Sequence, residues 1–181
     1  MISSADAQLV ARDLLAEELP RRWAHTQGVA RRARELARTL DPDDELIEVA
    51  AWLHDIGYSS TLVVSGFHPL DGARYLRDVL DVDEVVCRLV AHHTCAVIEA
   101  AERGIDSLTE EFPSPDRELL EALTYCDLTA DVDGRPVDVE ERLGEILQRY
   151  PADHVVHRSI TRATPCLLKT ARDVRLRLAD T

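Results

Sequence analysis

The sequence predicts an all-α fold. Apolar residues recur at three- and four-residue spacing through most of the chain, no sustained apolar–polar alternation marks a strand, and helix caps and stops punctuate the periodic runs. "SADAQLVARDLLAEEL" predicts a first helix capped by Ser4, with Leu9, Val10, Leu14, Leu15 and Leu19 on one stripe, ending near Pro20. "RRWAHTQGVARRARELARTL" predicts the second. "DPDDELIEVAAWLHDIG" predicts a third, with Asp41 as cap, Pro42 in the first turn and Gly57 as stop, so that His54 and Asp55 fall in its last turn. "HPLDGARYLRDVL" and "DVDEVVCRLVAHHTCAVIEAAERG" continue the pattern as far as Gly104. "GIDSLTEEFPSPD", with two prolines and several acids, reads as a mobile loop able to cover a site. Helices resume at "DRELLEALTYCDLTAD" and "VDVEERLGEILQRY", and a last one runs from about His154 to Leu178.

The 181 residues fit one domain, with 45% apolar and 30% charged residues, a globular balance, and no run approaching a membrane span. The N-terminus has no basic segment followed by an apolar stretch, so the expected location is the cytoplasm. Cys87, Cys95, Cys126 and Cys166 form no C-x-x-C pair and read as reduced, mostly buried thiols. A formal charge of −13 disfavours duplex nucleic acid and anionic membranes as partners. With Lys169 the single lysine, the positive charge is arginine, which suits bidentate recognition of phosphate or carboxylate.

Each histidine taken alone reads as a core or surface residue as readily as a ligand. His25 lies on a helix, His68 precedes Pro69, and His92 and His93 point about 100° apart on one helix, so at least one of them serves packing or solvent. Asp127 sits in "TYCDLTAD", where a carboxylate costs stability unless paired. Taken together, imidazoles and carboxylates on separate helices with apolar neighbours are what a metal site in a bundle core requires. That mixture suits first-row transition ions better than magnesium or calcium.

The order His25, His54-Asp55, Asp127, with the local patterns "AHTQGVA", "LHDIG" and "TYCDLTAD", resembles the HD superfamily of metal-dependent phosphohydrolases from about Arg21 to Asp131. The resemblance implies an HD-domain helical bundle as a single domain over 1–181, with a core at about 21–131 and additional C-terminal helices at about 137–178. It implies His25, His54, Asp55 and Asp127 as metal ligands. His68 and His93 are similar to the extra histidines of binuclear branches, in which the counterpart of Asp55 bridges two ions. His93-Thr94 and Arg22-Trp23-Ala24-His25 resemble segments of HD-type diadenosine tetraphosphate hydrolases. No Gly-Tyr-Pro follows "HHT", unlike the cyclic di-GMP phosphodiesterases, and no Glu-Asp pair follows the HD, unlike the alarmone hydrolases. Tyr58 and Ser59 stand where several binuclear relatives have a lysine.

The expected activity is hydrolysis of a phosphate ester or anhydride in a nucleotide-like small molecule. It would use one or two divalent transition ions, iron or manganese first, with nickel, cobalt, zinc or magnesium as alternatives. Asp55 would bridge the ions or orient water, His92 would protonate the leaving oxygen, and Arg22, Arg74 and Arg77 would hold the substrate phosphate. The same series also resembles HD-type di-iron oxygenases such as myo-inositol oxygenase and hydroxyphosphonate-cleaving enzymes. A non-catalytic, metal-stabilised binding module is a third reading. His154 and His157 lie outside the resemblance and read as a surface pair or part of a subunit contact, in keeping with a homodimer.

Overall fold

Ser3, one residue earlier than the sequence predicts, caps the first helix: its hydroxyl oxygen accepts from the Asp6 backbone N–H at 3.2 Å. The computed structural model describes residues 2–40 and 44–180; the Asp41 cap and the Pro42 first turn lie outside the described residues. Helix α1 (Ser4–Leu15) stops short of Pro20 and buries Ala7, Ala11 and Leu15. Of the expected stripe, Leu15 is buried and Val10 and Leu14 pack partly buried against the core, while Leu9 is exposed. Helices α2 (Pro20–Leu40) and α3 (Asp44–Leu53) pack along each other, and α1 lies against α3. Helices α4 (His68–Asp78) and α5 (Glu84–His92) form the next pair, followed by α6 (Ala96–Glu102), α7 (Leu108–Glu111), α8 (Arg117–Leu128), α9 (Val139–Arg149) and α10 (Val155–Ala179). Among the described residues the sole extended pairing is an isolated bridge between Ala130 and Pro136. The architecture is an all-α bundle.

Carboxylate caps start the later helices. Asp83 accepts from Val85 N–H, Asp116 from Glu118 and Leu119 N–H, and Asp138 from Glu140 N–H, each satisfying donors that a helix start leaves free. His154 caps α10 through Val156 N–H, and His157 donates to the Leu147 and Tyr150 carbonyls, tying the end of α9 to α10.

Three departures from the sequence reading shape the site. First, α3 ends at Leu53, so His54 and Asp55 follow its last turn and lead into a 3₁₀ turn at Ile56–Tyr58. Gly57 explains the tight passage, because a Cβ there would lie 2.1 Å from the His68 carbonyl oxygen; only glycine lets this turn pack on the start of α4. Second, the helix expected to run unbroken to Gly104 breaks into a 3₁₀ turn at His93–Cys95, where Thr94 (φ 53°) and Cys95 (φ 56°) are left-handed. That conformation costs a non-glycine residue about 1–2 kcal/mol. Thr94 is held there by its N–H donating to Thr124 Oγ1 at 3.1 Å and its hydroxyl donating to Asp127 Oδ2. Third, the segment expected to be mobile carries α7, with Leu108 and Phe112 buried.

Candidate metal centre

The second helix presents His25 inward from the buried face that also holds Thr26, Val29 and Ala30. Its Nδ1–H donates to the Asp131 carbonyl at 2.9 Å, which leaves Nε2 with a lone pair aimed at Asp127 Oδ1, 2.9 Å away. The loop bearing Asp131 reaches α2 through a close backbone approach. A Cβ on Gly28 would lie 2.5 Å from the Gly134 carbonyl, and Gly134, at φ +76°, sits against the Ala24 carbonyl.

His54 and His93 repeat the device. His54 Nδ1–H donates to Ala51 O at 2.8 Å and His93 Nδ1–H to Val90 O at 2.7 Å, so both rings turn Nε2 toward the same interior. Asp55 stands between them. Its Oδ2 lies 3.3 Å from His54 Nε2 and 3.8 Å from His25 Nε2, while Oδ1 lies 3.4 Å from His68 Nε2 and 4.0 Å from His93 Nε2. Two sets of donor atoms result, His25–His54–Asp127 and Asp55–His68–His93, each with its atoms within 4.8 Å of one another.

Imidazole nitrogens and carboxylate oxygens converge at this centre. His68 Nε2 and His93 Nε2 are 3.3 Å apart, and His54 Nε2, fully buried, has no hydrogen-bond partner among the described residues. A buried polar atom without a well-formed hydrogen bond costs roughly 1–3 kcal/mol, and a cation between the converging nitrogens and oxygens would satisfy them. The donors are nitrogen and oxygen, suited to a first-row divalent ion, and the residues present therefore fit a metal.

The electrostatics point the same way. Burial alone would push the His54 imidazole down, but the Asp55 and Asp127 carboxylates outweigh it and hold the ring up to about 9. Burial pushes His68 well down, and burial with the neighbouring His54 pushes His93 down. Asp55 is held well below the usual carboxylate range: burial opposes ionisation but Arg22 and His54 more than offset it. Arg22 Nη1 donates to Asp55 Oδ2 at 2.8 Å, and its guanidinium lies 4.0 Å above the Tyr58 ring. Tyr58 in turn stacks on His68 at 3.9 Å.

The HD domain family matches residues 22–132, more than half of the chain. The chain belongs to the HD domain family. Curated proteins similar to it include Ribonuclease Y of Sulfurovum sp. (strain NBC37-1), 35% identical over 105 residues, covering 56% of this chain and 21% of that protein. Ribonuclease Y of Cutibacterium acnes is 34% identical over 103 residues, covering 54% and 19%. Ribonuclease Y of Acetivibrio thermocellus is 32% identical over 103 residues, covering 55% and 20%. The chain thus spans about a fifth of the length of these relatives. No solved structure matches it.

Within this HD domain the structure brings His25, His54, Asp55, His68, His93 and Asp127 to one centre, with Arg22 at its edge. It does not bring His92, Arg74 or Arg77 there. His92 Nε2–H donates to the Phe112 carbonyl at 2.6 Å, which seats the ring in the core against the segment after α7, with no route to a leaving group. Arg74 bonds Glu111 through Nε and Nη2 at 2.9 and 2.6 Å, and Arg77 bonds Glu111 and Asp78 at 2.9 and 2.7 Å. Neither lines the cavity over the centre.

That cavity, about 100 Å³, is walled by Arg22, Asp55, Tyr58, His68, His93 and Asp127 on the HD side. On the other side α9 and α10 contribute Arg142, Ile146, Arg149, Tyr150, Val156 and Ile160, all beyond the family match. No local pattern marks these residues, because α9 follows a loop and its docking over the centre is a long-range event. No described helix is long and apolar enough to cross a membrane.

Proposed function

We propose that the chain is a metal-dependent phosphohydrolase that cleaves a phosphate ester or anhydride of a nucleotide-like small molecule, with two first-row divalent ions, iron or manganese, that His25, His54, Asp55, His68, His93 and Asp127 would hold between them. The observation that carries this reading is the division of one buried carboxylate between two three-donor sets, Oδ2 toward His25 and His54 and Oδ1 toward His68 and His93. Ions held there would supply positive charge to the phosphoryl oxygens and acidify water for attack near neutral pH.

The protein's own groups divide the remaining work. The three Nδ1 to carbonyl bonds hold His25, His54 and His93 in the tautomer that exposes Nε2. Thr94 fixes Asp127 through Oδ2, leaving Oδ1 toward His25. Arg22, at the cavity wall, offers a guanidinium to the phosphate. The cavity, about 100 Å³, favours a small substrate or a chain end that enters phosphate first.

A second reading, cleavage of RNA phosphodiesters, draws on the name of the relatives, Ribonuclease Y. Phosphate or nucleotide release by the manganese- and iron-loaded protein, assayed on nucleotides, dinucleoside polyphosphates and short RNA, tests both. Turnover of the small compounds with intact RNA supports the first, and the reverse supports the second. Substrate-dependent oxygen uptake by the iron form, without phosphate chemistry, would overturn hydrolysis altogether.

A further inference from the structure

We propose that Arg142 and Arg149, both on α9, form an anion subsite that holds a second phosphate of the substrate beside the reacting one. The proposal rests on the hydrolase reading and narrows its substrate to molecules with at least two phosphates. Arg142 is 5% exposed, an unusual place for a guanidinium, and its Nε has no hydrogen-bond partner among the described residues. Its sole ion pair among the described residues is with Glu145, whose Oε2 lies 3.4 Å from Nη1, too long for a strong charge-assisted bond. A buried cation so weakly matched is stable when an anion completes it. Arg149 is exposed, has no carboxylate partner among the described residues, and faces both the cavity over the centre and an adjoining one lined by Arg21, Arg22, His25 and Val132.

The other charges on the cavity wall are already matched. Glu99 is bonded by Arg103 at 2.6 Å, and Arg22 by Asp55 at 2.8 Å. Arg142 and Arg149 are therefore the arginines of this wall without a close carboxylate among the described residues, in a chain whose net charge is −13. Guanidinium forks match phosphate oxygens bidentately. Ile146, Tyr150, Val156 and Ile160 beside them give an apolar wall for the body of the same molecule.

Calorimetric titration of the full-length, manganese-loaded chain with adenosine diphosphate and adenosine monophosphate tests this. The wild type should bind the diphosphate about tenfold more tightly, and Arg149→Gln should remove most of that preference. Arg142→Gln should do the same, with Arg142→Lys restoring part of it; Arg149, on the surface, reads the subsite even if the buried variant folds poorly. No diphosphate preference in the wild type, or an undiminished preference in Arg149→Gln, would overturn the subsite. A lost preference in the variants of a protein that hydrolyses no phosphate compound would leave the subsite standing and sink the hydrolase reading instead.

Discussion

The two donor sets that share Asp55 are built differently. His25, His54 and Asp127 come from α2, the end of α3 and α8, with both imidazoles almost fully buried and braced by backbone carbonyls and Asp127 braced by Thr94. His68 opens α4 after a loop, is 14% exposed, and is positioned by the approach that Gly57 permits and by stacking on Tyr58. The first set is preorganised by the bundle throughout; in the second His93 is braced the same way by the Val90 carbonyl, and His68 alone depends on one turn packed on one helix start. Preorganised donors lose less entropy on binding, so the account expects a tight first ion and a weaker, exchangeable second.

The largest effect should come from the residue common to both. Asp55→Ala removes the shared carboxylate and leaves the half-buried Arg22 guanidinium without its partner; turnover should fall by about a thousandfold or more and both ions should be lost, as read by metal analysis and steady-state rates. Retained turnover with metal lost would break the account. Gly57→Ala should act selectively, since the added Cβ pushes α4 and His68 away: roughly a 10–100-fold weaker second ion, with the first retained. Equal loss of both would erase the contrast between the sets.

Acidity sharpens the comparison further. The metal-free His54 ring is protonated up to about pH 9, whereas His68 and His93 are held neutral by burial. An ion entering the first set must expel that proton, and one entering the second finds its histidines already free. Affinity of the first ion should therefore rise about tenfold per pH unit from pH 6.5 toward 9 and then level off, while the second ion changes less. Competition titrations with a chelator across that range read both slopes. The smallest effect belongs to Arg74→Gln, which breaks a half-exposed pair with Glu111 and should shift stability by under about 1 kcal/mol without changing turnover.

The comparison also explains what could be read in advance. "LHDIG" carries both the ligand pair and the glycine that packs it on His68, so local sequence encodes local geometry, although the helix ends one residue before His54. His92 and His93 could not be told apart from periodicity, because the break at Thr94, stabilised by Thr124 and Asp127 from α8, turns one ring to the centre and leaves the other on Phe112. Arg74 and Arg77 follow His68 closely in sequence, yet six and nine residues rotate them about 120° and 180° away from it around α4. Arg142 and Arg149 were illegible for the opposite reason: nothing near them in the chain belongs to the site, and the fold alone sets them there.

Metal content per chain is the first measurement to make, on protein purified without added metal, for the wild type and for His68→Ala combined with His93→Ala. The account predicts two ions per chain falling to one, the tighter ion remaining on His25, His54 and Asp127. One ion in both proteins, or none in the double variant, would contradict a centre divided into two separable halves by Asp55.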